Sequence, residues 1–243
     1  MYSLVVENMK CIIAAGGLGK RLQDFRDNKS TKILLDVKGT SMINRQISQL
    51  FEWGMRKFII ISNPEYLDMI REETSNNFDN LDIDFTVQDK PKGISHALYQ
   101  ARDLVDHDEK IFFVLGDNFF QNNPLINFDI NKFEEGACIF TTQVSNPEEF
   151  GVAEMDSDGN VLSIEEKPTH PKSNAAVVGL YMFDDSVFKK IETLEPSARG
   201  EYEVTDLCSI YVKENKCLNL EIDGWWIDAG TPERIVELEK KLS

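Results

Sequence analysis

Residues Cys11-Ile12-Ile13-Ala14-Ala15-Gly16-Gly17-Leu18-Gly19-Lys20-Arg21 decide how this chain is read: an apolar β-type run opens directly into a glycine turn that closes on two cations. Glycine lets backbone N–H groups approach an anion with no Cβ in the way, and it reaches positive φ at low steric cost. A strand feeding such a turn suits phosphate, and the ligand it implies is a nucleotide. Two common phosphate motifs are excluded. A Walker loop needs Gly-x-x-x-x-Gly-Lys followed by Ser or Thr, but Ala14 stands at its first glycine and Arg21 follows the lysine. A dinucleotide fingerprint needs glycine where Leu22 stands.

Outward from this loop, short β-rich apolar runs alternate with helix-period segments, the pattern of a parallel sheet with covering helices. Strands are expected at 9–15, 56–62, 82–87 and 111–115, with helices at 41–53, 64–75 and 93–105; Ser41 and Pro64 are start signals. Ligands of such sheets sit beyond the carboxyl ends of the strands, which puts the glycine loop and Gly116-Asp117-Asn118 on one edge. From Gly136 the pattern changes to consecutive strands at 136–144, 151–156, 161–166 and 175–184, with Asp156-Ser157-Asp158-Gly159-Asn160 as a hairpin turn. Helices at 185–192, 203–214 and 231–242 and a strand at 217–222 complete an α+β half. No linker or repeat divides the 243 residues, so one domain is expected over 1–243, with halves 9–135 and 136–243.

Composition narrows the partners. With 26 basic against 42 acidic residues the formal charge is −16, which repels nucleic acid and anionic membrane surfaces. Between Gly17 and Thr40 the balance reverses, with Lys20, Arg21, Arg26, Lys29, Lys32 and Lys38 against Asp24, Asp27 and Asp36. That local excess of cations suits a triphosphate. The four cysteines form no Cys-x-x-Cys pair, the first eight residues do not read as a signal peptide, and no apolar run approaches the ~20 residues of a membrane span. A reduced, cytoplasmic chain without membrane or nucleic-acid partners is expected.

Taken in order, a set of local motifs resembles the sugar-1-phosphate nucleotidyltransferases, and among them the glucose-1-phosphate thymidylyltransferases. They are the Gly-Gly-x-Gly-x-Arg loop at 16 to 21, Lys32 before Ile33-Leu34-Leu35, Gln88 with Pro91-x-Gly93, and Leu115-Gly116-Asp117-Asn118. Further along come Glu165-Glu166-Lys167-Pro168, Val178-Gly179-Leu180-Tyr181, Ala198-Arg199-Gly200-Glu201-x-Glu203-Val204-Thr205-Asp206 and Trp226-Ile227-Asp228-Ala229-Gly230-Thr231. The resemblance implies an α/β fold, Rossmann-like, with a mixed, mainly parallel sheet, helices on both faces and an α+β substrate-binding half. It also implies a homo-oligomer. Longer members carry a helical extension beyond the segment after Thr231, associated with allosteric control, and none is expected here.

The reaction implied is transfer of a nucleotidyl group to a sugar 1-phosphate with release of pyrophosphate. A phosphate oxygen is already a competent nucleophile, so the need is for charge neutralisation, a metal and alignment rather than a histidine base. By resemblance, Asp117 and Asp228 ligate Mg²⁺, and Arg21 and Lys32 hold the triphosphate. Lys167 holds the sugar phosphate, with Arg199 as a further anionic contact. Ala15, Gly16, Gly17, Gly19, Gln88, Pro91 and Gly93 surround the nucleotide together with Asp117, while Gly151, Glu166 and Val178 line the sugar pocket. Gly151 and Val178 also fit plain sheet packing, and Trp225 and Trp226 read as core.

The sequence departs from the resemblance at Lys20, which stands where Thr or Ser is usual. It departs again at 23–31, which lacks the proline and threonine expected directly after Arg21-Leu22, and at His96, which stands where glutamine is common. All three surround the nucleotide. Two other readings therefore stay open: a CTP- or UTP-dependent transferase for an unusual small phosphate, and a non-catalytic sensor of sugar nucleotides.

Overall fold

The first strand, Met9–Ala14 (β1), is buried on both faces, as expected of a parallel strand under two helical layers. The computed structural model describes residues 8–17, 19, 22 and 31–243. After β1 the strands are Asp36–Val37 (β2), Thr40–Ser41 (β3), Lys57–Ser62 (β4), Asp82–Val87 (β5), Lys110–Leu115 (β6) and Asn118–Phe120 (β7). Then come Ala137–Gln143 (β8), Gly151–Met155 (β9), Val161–Glu166 (β10), Ala175–Phe183 (β11), Cys217–Glu221 (β12) and Trp226–Asp228 (β13). The helices are Met42–Glu52 (α1), Leu67–Ser75 (α2), Ile94–Tyr99 (α3), Val187–Ile191 (α4), Val204–Lys213 (α5) and Pro232–Lys241 (α6).

One nine-stranded sheet runs β10-β9-β11-β6-β1-β4-β5, with β8 and β12 added on the other side of β11. The four strands β6, β1, β4 and β5 are all parallel, and β11 enters antiparallel beside β6. This is the mixed α/β sheet expected from the sequence. Side chains alternate between the two faces along each strand. Cys11 and Ile13 of β1 pack with α1, α2 and α6, whereas Ile12 packs with α3, α4 and α5. The described residues thus form two cores, one on each side of the sheet. Each fully buried isoleucine contributes about 2 kcal/mol of transfer free energy to them.

Local signals in the sequence set most boundaries. Ser41 caps α1, its Oγ accepting from the Asn44 N–H at 3.4 Å, and Thr231 caps α6 in the same way through the Arg234 N–H at 3.4 Å, ahead of Pro232. In the β9–β10 hairpin Asp156 Oδ1 accepts from the N–H groups of Asp158 and Asn160, both at 2.9 Å. Two helices are shorter than expected: 64–66 is a 3-10 turn leading into α2, and α3 ends at Tyr99, with a separate 3-10 turn at 102–104. Two small pairings, β2 with β3 and β7 with β13, have no counterpart in the sequence reading. The cysteines are free thiols. Among the described residues no helix is long and apolar enough to cross a membrane.

Candidate active site

Because β1, β4, β5 and β6 are parallel, Ala15, Asn63, Gln88 and Gly116 all leave the sheet at the same edge. The Ala15 N–H donates to the Ile61 carbonyl (2.8 Å), and the Gln88 N–H donates to the Ser62 carbonyl (2.8 Å). A Cβ on Gly16 would stand 3.4 Å from the Ser62–Asn63 backbone, so the loop lies close against β4. Gly17 and Gly19 cover the stem of Lys32: a Cβ on Gly19, at φ 53°, would come within 2.9 Å of Lys32 Cβ. This contact, together with the left-handed φ, accounts for glycine at that position. Arg21, Lys20 and residues 23–30 lie outside the described residues.

Lys32 runs beneath the loop and its ammonium meets Asp117 Oδ2. The pair is shielded, with side chains 17 % and 12 % exposed. Burial alone would raise the Asp117 pKa. The Lys32 charge beside it, with hydrogen bonds from Lys32 and from Asn118 Nδ2 (3.0 Å), outweighs burial and holds the carboxyl below its ordinary range.

Asp228 reaches the same place from the far end of the sequence. The β7–β13 pairing sets Asp228 opposite Asn118, and the Ala229 N–H donates to the Asp117 carbonyl at 2.8 Å. A Cβ on Gly230 would lie 2.9 Å from Asp228 Oδ1 and 3.8 Å from Asp117 Oδ2, so the two carboxylates flank this glycine. Asn118 joins the halves: its Oδ1 accepts from the Gly179 N–H (3.1 Å) and from Trp226 Nε1 (2.7 Å). Residues 178 and 179 fall between the stretch of β11 paired with β9 and the stretch paired with β6. The side chain of Asn118 takes up a backbone donor in that gap.

On the other side of Asn118 and Asp228 opens a cavity of about 610 Å³, lined among others by Gly151, Glu166, Lys167, Gly179 and Thr205. Lys32, Asp117 and Gln88 are not among its lining residues. Glu166 Oε1 is 3.2 Å from Arg199 Nη2, which also contacts Glu203 Oε2 at 2.9 Å. Burial raises the Glu166 pKa, with Glu203 adding to the effect and Arg199 opposing it. Lys167 stands at φ 46°, an uncommon conformation for a residue other than glycine, with its N–H on the Phe150 carbonyl (2.9 Å). Such geometry concentrates at functional positions.

Several sequence expectations are refined here. Val178 does not line the cavity; its side chain is fully buried in the opposite core, and Val177 and Gly179 face the cavity because β-strand alternation puts the neighbours of Val178 on the other face. Arg199 does not line the cavity either but sits behind Glu166. Trp226, expected in the core, is half-buried on the cavity wall with Phe150 against it at 5.2 Å. Gln88 and Gly93 stand together, Gln88 Nε2 donating to the Gly93 carbonyl at 3.0 Å, while Pro91 is exposed in the loop between them.

Sequence reasoning singled out neither Asn118 nor Thr205 by role. Thr205 is 3 % exposed, lines the cavity, and its Oγ1 has no hydrogen-bond partner among the described residues. Its position inside the quoted Glu203-Val204-Thr205-Asp206 run was the available signal.

This arrangement can be set beside known proteins. The model of the nucleotidyl transferase family matches residues 10–243. The chain belongs to the nucleotidyl transferase family. Among nucleotidyl transferases it is 34 % identical to the glucose-1-phosphate thymidylyltransferase of Mycolicibacterium smegmatis, over 94 % of this chain and 80 % of that one. It is 33 % identical to the low-salt glycan biosynthesis nucleotidyltransferase Agl11 of Haloferax volcanii, over 94 % of this chain and 64 % of the relative. A crystal structure described as a putative glucose-1-phosphate thymidylyltransferase from Bacillus anthracis in complex with a sucrose superposes with a TM-score of 0.86 at 36 % identity, covering 96 % of this chain and 94 % of that one.

Proposed function

We propose that the chain transfers a nucleotidyl group from a nucleoside triphosphate to a sugar 1-phosphate, giving a nucleotide sugar and pyrophosphate. The observation that carries this reading is the pair Asp117 and Asp228 flanking Gly230, between a glycine loop seated on Lys32 and a cavity edged by Glu166 and Lys167. Within one domain, the 9–135 half takes the nucleotide and the 136–243 half takes the sugar phosphate. The substrate pair we favour is dTTP with glucose 1-phosphate, with another pyrimidine nucleotide as the alternative.

The donor set suits a hard divalent cation such as Mg²⁺, since both groups are carboxylates beside Gly230 and the Lys32 charge keeps Asp117 ionised. When bound, such an ion supplies neutralisation of charge on the phosphate oxygens. The rest is positioning. Lys32 and Arg21 compensate the triphosphate and the departing pyrophosphate. Lys167 brings the sugar phosphate in line, so that its oxygen bonds to the α-phosphorus as the bond from that phosphorus to the bridging oxygen breaks. Glu166, held by Arg199, accepts hydrogen bonds from sugar hydroxyls, and Thr205 Oγ1 provides a further partner for one of them.

Pyrophosphate release with Mg²⁺, measured for dTTP, UTP, CTP, ATP and GTP against a panel of sugar 1-phosphates, tests the reading. Turnover with a pyrimidine nucleotide and a sugar 1-phosphate is expected; nucleotide binding without pyrophosphate from any pairing would sink it. Thr205→Val gives a finer test, because the isostere removes a buried hydroxyl that has no partner among the described residues. Stability is expected to hold or rise by up to about 1 kcal/mol, while KM for the sugar phosphate rises about tenfold. Thermal melts and kinetics on the same samples read both, and an unchanged KM would remove Thr205 from the pocket.

A further inference from the structure

Gln88 has one carboxamide, and its surroundings decide which end faces the glycine loop. A carbonyl oxygen only accepts, so the bond from Nε2 to the Gly93 carbonyl fixes the NH₂ end on that side. His96 Nδ1 lies 3.0 Å from the same Nε2. With both amide protons engaged, Oε1 turns toward Gly16, where an added Cβ would stand 3.7 Å from it. The other ring nitrogen, His96 Nε2, faces the NH₂ of Gln100 at 3.4 Å, and that amide is oriented by its own bond to the His96 carbonyl (3.0 Å). Both ring nitrogens therefore face donors. A neutral ring, with one lone pair, fits such a setting better than an imidazolium with none.

We propose that His96 is a positioning residue for base recognition: its unprotonated Nδ1 holds the Gln88 carboxamide so that Oε1 is presented to the nucleotide as an acceptor. The site then favours a base with an N–H donor on its pairing edge, as in a uracil-type imide, over one with a lone pair there, as in cytosine. This rests on the reading of the glycine-loop edge as the nucleotide site. The other groups around the ring agree with a neutral state. Burial and the Lys92 charge lower the His96 pKa from its ordinary value, against a smaller opposing effect of Asp89. Tyr202 stacks on the ring at 6.2 Å, and Tyr99 and Glu192, bonded to each other at 2.7 Å, share with His96 and Lys92 the wall of a small cavity. Protonation as pH falls through that lowered pKa removes the acceptor, so base preference weakens only in acid.

The experiment is steady-state pyrophosphate release by the full chain with dTTP, UTP and CTP, for wild type, His96→Leu, His96→Gln and Gln88→Ala, from about pH 5 to about pH 8. His96→Leu is expected to raise KM for the preferred pyrimidine nucleotide about tenfold, with a much smaller change in kcat, and to narrow discrimination against CTP by a similar factor. His96→Gln, whose Oε1 accepts the same N–H, restores the preference and removes its weakening in acid. If Gln88→Ala collapses discrimination and His96→Leu does not, the role of His96 is overturned while the nucleotide site stands. If Gln88→Ala leaves discrimination intact in an active enzyme, the base-site reading itself fails. Should His96→Leu fold poorly, the pH comparison decides: equal acid dependence of base preference in wild type and His96→Gln overturns the proposal.

Discussion

Asp117→Asn and Asp228→Asn proteins are expected to lose pyrophosphate release by about 10³-fold or more, each nearly as severely as the pair together. Asparagine keeps the shape and removes the charge, so the loss measures the need for two anionic ligands rather than for two side chains of that size. The two substitutions differ in stability. Asp117→Asn removes the carboxylate charge that faces the Lys32 ammonium, 17 % exposed, and is expected to cost about 1–3 kcal/mol. Binding of Mn²⁺ in the presence of nucleotide, followed by electron paramagnetic resonance, should fall in both proteins whatever their turnover. Near-normal Mg²⁺-dependent turnover in either one would remove that residue from the metal site.

Gly179→Ala is expected to be strongly damaging although glycine offers the substrate no side chain. The added Cβ would stand 2.7 Å from Cγ and Oδ1 of Asn118 and 2.8 Å from Leu115 Cδ1. Asn118 cannot simply turn aside, because the same Oδ1 accepts from Trp226 Nε1 and its Nδ2 donates to Asp117. Overpacking of this kind costs about 2–3 kcal/mol, and a displaced Asn118 carries Asp117 out of line, for a fall in kcat/KM of about 100-fold. Gly159→Ala is the control: φ is 85° there, but open space surrounds it. About 1 kcal/mol of stability and no activity should be lost. A Gly179→Ala protein that is less stable yet fully active would show that Asn118 packs the two halves together without positioning Asp117.

Much of the fold was legible because its signals are local. The run at 9–14 is buried on both faces, and it reads so in sequence because every residue of Cys11-Ile12-Ile13 is apolar. The strand runs from 136 to 184, the Asp156 turn and the caps at Ser41 and Thr231 depend on residues within a few positions of one another. The β7–β13 pair was not legible. At three residues each, Asn118–Phe120 and Trp226–Asp228 are too short for a period to show. Val178 was placed in the pocket on its motif, but strand register turns its side chain into the core.

The sequence by itself determined the class of fold, the edge of the sheet at which the glycine loop and Asp117 stand, and the residue types gathered there, since glycine conformations, strand alternation and carboxylate chemistry are properties of short segments. Only the tertiary structure decided which of those residues meet. Asp117 and Asp228 flank Gly230, Asn118 completes the gap in β11, and His96 meets the Gln88 amide through contacts that no local pattern encodes, because each depends on strands and loops brought together by burial of two separate cores.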